Sequence, residues 1–271
     1  MKAKAWSTMA QLLAGGLLVA AGSLAVANGT DEIETSPHNL GSTGTGPNSF
    51  SGTTEICVFC HTPHGADNSA SVPLWNRTLA APSSYTTYDT LGTSTLEGQV
   101  APVGSVSIAC LSCHDGTQAM DAAINDPGMG DENAAFNAGV WTGAGTLPAD
   151  EVVMLGTDLS NDHPIGIQYG GGGLTEATPA GVLNNVDFKA TSNKSINNQT
   201  VWWVDTEATP DGARQKSDMQ LYTRSVASID GGAKQPFVEC ASCHDPHNNE
   251  YDLFLRISND GSAVCLACHA K

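Results

Sequence analysis

The sequence predicts a chain of mostly irregular coil, with short helices at four places and a few short strands, wrapped around something other than its own side chains. Three observations carry this. Hydrophobic periodicity is weak along most of the 271 residues. Aromatic residues make up only 6% of the chain while glycine alone contributes 29 positions, so there is little apolar bulk for a side-chain core. All eight cysteines fall in four copies of one pattern.

The copies are Cys57-Val58-Phe59-Cys60-His61, Cys110-Leu111-Ser112-Cys113-His114, Cys240-Ala241-Ser242-Cys243-His244 and Cys265-Leu266-Ala267-Cys268-His269. C-x-x-C-H is the attachment signature of c-type haem. Two thiols three residues apart on a helical turn add to the two vinyl groups, and the adjacent histidine becomes the proximal iron ligand. The predicted fold class is therefore a multihaem cytochrome c: coil wrapped around a stack of four covalent haems, with a helical turn at each motif. A disulfide framework rarely consists only of C-x-x-C pairs. Zinc does not need a histidine after every pair. No βαβ pattern frames a thioredoxin-like motif.

Between the motifs the chain offers few regular elements. Val152 to Leu155 reads as a short strand, as does the Val and Trp cluster within Thr200 to Asp205. The run Tyr169 to Gly173 is glycine-rich, and Gly41 to Thr54 has linker composition. Four segments follow: a signal peptide at 1–27, an N-terminal dihaem half with a mobile arm at 28–130, a loop-rich segment with short strands at 131–235, and a C-terminal dihaem segment at 236–271.

Eight histidines serve four haems. His61, His114, His244 and His269 are proximal, which leaves His38, His64, His163 and His247 as candidate distal ligands. The count points to bis-histidine iron, although Met120, Met129, Met154 and Met219 offer an alternative sixth ligand. His64 and His247 each follow a proximal histidine by three residues. Such a residue lies on the proximal side of its own haem, so it can only ligate a neighbouring one. The halves repeat as distal, proximal, crossover, proximal.

Lys2, Lys4, the apolar stretch Met9 to Ala27 and the Ala25-Val26-Ala27 site predict an export signal. Without it the chain carries nine basic against 28 acidic residues, a net charge of −19. That excludes nucleic acid and anionic membrane surfaces as partners. From Thr78 to Phe188 there is no Lys or Arg at all.

Several further stretches carry a resemblance: Ser36-Pro37-His38-Asn39-Leu40, Pro73-Leu74-Trp75-Asn76-Arg77, His163-Pro164-Ile165-Gly166 and Phe254-Leu255-Arg256, in order around the haem motifs. The chain resembles the filament-forming extracellular multihaem cytochromes, the tetrahaem OmcE type in particular. The resemblance implies bis-His haems in a continuous stack and self-association into a conducting homopolymer outside the cell. It also implies other redox proteins or extracellular electron acceptors as partners, and one distal histidine donated across the subunit interface. His38, near the N-terminus, is the candidate for that donor. The alternatives are a monomeric periplasmic or cell-surface tetrahaem electron shuttle, and a multihaem reductase. A full set of spare histidines argues against the last, because catalysis at haem needs an open axial position; no catalytic residue is assigned.

Overall fold

A computed structural model describes residues 33–127 and 131–270. The predicted signal peptide and Met129 lie outside the described residues. Most of the described chain is coil and turn, with a few short helices and one small antiparallel sheet. The α-helices are Ser107–His114 (α1), Asp131–Asn137 (α2), Cys240–Cys243 (α3) and Ala263–Cys268 (α4). A 3-10 turn covers Cys57–Phe59. Every C-x-x-C-H motif thus sits on a helical turn, with its histidine at or just past the C-terminal end. The backbone N–H groups of His61, His244 and His269 donate to the carbonyls of Cys57, Cys240 and Cys265 at 2.7, 3.1 and 2.9 Å. That bond closes one helical turn and brings both cysteines to one side of it.

The sheet contains β1 (Ile167–Gln168), β2 (Ser192–Ile196), β3 (Gln199–Val204), β4 (Met219–Arg224) and β5 (Gln235–Val238). Their order is β1-β5-β4-β3-β2, with every neighbouring pair antiparallel. Asn197 and Asn198 join β2 to β3 with φ of 51° and 61°. Asparagine tolerates the left-handed region that a tight hairpin turn demands. β3 forms where the Val and Trp cluster predicts a strand. Its Trp202 and Trp203 point to opposite faces and both are fully buried, so the sheet is covered on both sides here. Val152 to Leu155 is not a strand; it runs as turn and coil.

The core is divided into small clusters, and three of them hold C-x-x-C-H motifs. Ile108, Ala109 and Leu111 of α1 pack with Trp75, Tyr85 and Leu159, with Cys60 at the edge. Phe50, Val58, Phe59 and Phe136 form a second cluster, also against Cys60. Trp202, Val204, Met219 and Leu221 on one sheet face pack with Tyr169 and Ala267, and Cys243 and Cys268 lie against them. Segment 41–54, whose composition reads as a flexible arm, is folded. Phe50 anchors it, and Ser42 and Phe50 donate their N–H groups to Thr53 and Leu40. At Gly44 a Cβ would lie 2.1 Å from the Asn39 carbonyl oxygen, so only glycine permits this close turn. Among the described residues, no helix is long and apolar enough to cross a membrane.

Candidate functional site

Each proximal histidine lies against an extended strap that returns to its motif. At the first motif, Thr62 N–H donates to Leu74 and Asn76 N–H donates to the Cys60 carbonyl, both at 2.9 Å, pairing His61 with Trp75. At the third, Asp245 donates to Phe254 at 2.8 Å and Arg256 to Cys243 at 2.9 Å, pairing His244 with Leu255. At the fourth, Ala270 donates to Asp187 at 2.9 Å and Lys189 to Cys268 at 2.8 Å, pairing His269 with Phe188. The second motif has a shorter version, in which Leu155 donates to the His114 carbonyl at 2.8 Å. The repeat visible in the motifs therefore extends to the backbone around them.

The straps also orient the imidazoles. Nδ1 of His61 lies 2.7 Å from the Pro73 carbonyl, that of His244 2.7 Å from Leu253, and that of His114 2.8 Å from Val153. A carbonyl oxygen only accepts, so Nδ1 carries the proton in each case. Nε2 is left with its lone pair free to bind a metal. Leu74, Leu253 and Phe254 adopt positive φ (56°, 56° and 59°) in these straps. For side chains of this size the left-handed conformation costs about 1–2 kcal/mol each.

Two spare histidines lie ring beside ring with proximal ones. The rings of His61 and His247 have centres 6.2 Å apart and planes within 16° of parallel. Those of His38 and His114 also have centres 6.2 Å apart, with planes crossed at 74°. An imidazole nitrogen binds a metal at about 2.0 Å, and the ring centre lies about 1.1 Å behind it, so two axial imidazoles on one ion have centres about 6.2 Å apart. Both pairs match that separation. Burial, with a smaller influence from His269, lowers the His163 pKa. His64 is exposed at the surface.

Candidate donor His38 sits within its own chain. Phe254 stacks on its ring at 4.2 Å, with the planes 10° apart. Burial, followed by the neighbouring His114, pushes the His38 pKa down to about 4. Burial likewise lowers His114. Both are therefore neutral near pH 7, the state a metal-binding imidazole requires. His247 Nδ1 lies 3.6 Å from an oxygen of Asp245, whose carboxyl is held down at about 2 chiefly by its bond with His247. Among the methionines that stand as alternative ligands, Met120 and Met219 are buried, and the Met154 sulfur lies over Gly116.

All eight cysteines are unbridged. Burial pushes the thiols of Cys60 and Cys268 up to about 12 and that of Cys243 up to about 11. The cysteines also show which motifs adjoin. Cys60 lies against the cluster built on α1, the Cys240 N–H donates to Ser107 of α1, and Cys243 and Cys268 lie against one and the same cluster. The motifs thus follow one another in space as they do in the chain.

Sequence reasoning missed the residues that join them. The Ser107 hydroxyl on α1 accepts the Cys240 N–H at 3.0 Å and donates to the Glu239 carboxylate, which pairs with Arg224 at 3.0 Å. Arg77, fully buried between the first two motifs, donates to the carbonyls of Met120, Ala119 and Ser112 at 2.7, 2.7 and 3.1 Å. Its stretch was legible as a motif, but not this role.

Unbridged thiols in C-x-x-C pairs, histidines with free Nε2 atoms and facing imidazoles at ligation distance all fit haem c. Residues 235–271 match the family described as the doubled CXXCH motif. No curated protein matches the chain. The matched segment holds α3 and α4 with Cys240, Cys243, His244, Cys265, Cys268 and His269. The doubled motif indicates covalent haem c and points to electron transfer of the multihaem c-type cytochrome kind.

Proposed function

We propose that the chain carries four covalent haems, each ligated by two histidines, and passes electrons between them without transforming a substrate. The observation that carries this reading is the pair of facing imidazole couples, His61 with His247 and His38 with His114, both 6.2 Å between centres. His163, whose acidity His269 influences, would form a third couple at the last motif. His64 and His244 are then the remaining pair.

When bound, haem supplies an iron that cycles between ferric and ferrous states. The chain supplies the rest. Two imidazoles per site leave no position open for a substrate, which favours electron transfer over a reductase. The strap carbonyls of Pro73, Val153 and Leu253 hold the rings in fixed orientations and keep Nε2 unprotonated. His247 and His244 lie three residues apart yet serve different sites, so one short piece of backbone holds two haems close. The Ser107, Glu239 and Arg224 network does the same for the second and third motifs.

The finer part of the proposal is assembly into an extracellular filament after export, as the resemblance implies. His38 is engaged within its own chain, so the exposed His64 is the better candidate for a ligand donated to the His244 site of a second copy. Such a contact is heterologous and propagates without closing. The monomeric shuttle differs only in assembly. Electron microscopy of the purified native protein tests it: filaments support the polymer, and isolated particles support the shuttle. Absorption and paramagnetic resonance spectra test the ligation, since methionine–iron or high-spin signals in the native protein would contradict it.

A further inference from the structure

The two imidazole couples differ in one respect that bears on redox behaviour. His61 and His247 are nearly parallel, at 16°, whereas His38 and His114 are nearly perpendicular, at 74°. Parallel axial imidazoles donate π density along one direction and split the two iron d orbitals of π symmetry. Crossed imidazoles donate along both directions and leave these orbitals nearly degenerate. The crossed arrangement gives a highly anisotropic low-spin ferric signal, stabilises the ferric state less, and so raises the reduction potential.

The structure shows what holds the rings crossed. His114 is fixed by its Nδ1 bond to Val153 at 2.8 Å. His38 has no comparable bond; its Nδ1 lies 3.5 Å from the Pro246 carbonyl, too long for a strong one. Its plane is set instead by Phe254, stacked on it at 4.2 Å and within 10° of parallel. Phe254 is itself anchored. It sits at φ 59° in the strap of the third motif, its carbonyl accepts the Asp245 N–H at 2.8 Å, and the adjacent Leu253 carbonyl accepts the His244 Nδ1–H at 2.7 Å. Two unrelated segments thus fix the two rings at right angles.

We propose that Phe254 is a positioning residue that holds the His38 imidazole across that of His114, giving the second-motif haem crossed ligands and a higher potential than the first-motif haem. This rests on the bis-His reading above. It makes the third motif's strap a determinant of the second haem's potential, and so builds an uneven energy profile into the electron path.

The test is paramagnetic resonance and redox titration of the oxidised, haem-loaded protein with Phe254→Leu and Phe254→Tyr. Leu keeps apolar volume but loses the flat face, whereas Tyr keeps both. The native protein should show a rhombic low-spin signal together with a highly anisotropic one. In Phe254→Leu the anisotropic signal should shift toward rhombic and one midpoint potential should fall. Phe254→Tyr should retain the native spectrum. A native spectrum with rhombic signals alone, or an anisotropic signal unmoved in Phe254→Leu, would overturn the proposal while leaving bis-His ligation standing. A high-spin or methionine-ligated signal in the native protein would overturn the ligation reading itself, and this proposal with it.

Discussion

His247 lies ring to ring with His61, 6.2 Å between centres, although it belongs to the loop that follows the third motif. On the proposed ligation it would serve the first motif and not its own. In His247→Ala about one haem in four should become high-spin and bind carbon monoxide, because one axial position opens. An unchanged low-spin spectrum without ligand binding would remove His247 from the site.

His38 and His64 should separate ligation from assembly. His38→Ala is expected to open one haem and leave filaments intact, since its ring is seated on His114 and Phe254 of the same chain. His64→Ala is expected to open one haem and abolish filaments. Imaging both variants checks this; filament loss in His38→Ala alone would return the joint to the N-terminal segment.

Arg77 should be a structural linchpin. Its guanidinium reaches three carbonyls from two directions, which a lysine ammonium cannot do. Arg77→Lys should therefore destabilise nearly as much as Arg77→Ala, each by about 3 kcal/mol or more, since buried carbonyls are left without donors. Guanidinium unfolding midpoints measure it.

Glu239 should make stability fall as pH rises. Burial raises its carboxyl from 4.5 to about 7 in the fold, with Arg224 and Ser107 opposing the shift. Between those values the folded state holds a proton that the unfolded chain has lost. The group's favourable contribution is full below about 4.5 and is lost as pH passes 7, a change of up to roughly 3 kcal/mol. Urea midpoints measured from pH 4.5 to 8 should show this slope in the native protein and a weaker one in Glu239→Gln.

What was legible in the sequence was the chemistry carried by side chains. The C-x-x-C-H spacing places cysteines and histidine on one turn, and the expectation that His247 turns away from its own motif agrees with its ring lying beside His61. What was not legible is carried by the backbone. The Pro73, Val153 and Leu253 carbonyls have no side-chain signature, and left-handed Leu74 and Phe254 are residues that composition would never place there. Val152 to Leu155 reads as a strand because it is apolar, but its role is to turn a carbonyl toward His114. β2 escaped notice because Ser192–Ile196 is a polar strand at the sheet edge, without alternation. The linker composition of 41–54 hides its order for a related reason: apart from the buried Phe50, the segment is held by backbone bonds such as Ser42 N–H to Thr53 and Phe50 N–H to Leu40.

Covalent haem at all four motifs is what the proposed function stands on. The most direct measurement is the intact mass of the purified protein after acid denaturation and extraction with organic solvent. Haem should stay with the polypeptide, and the mass should exceed that of the bare chain by four haems. Extractable haem, or a gain of only two confined to the segment from 235 to 271, would contradict it.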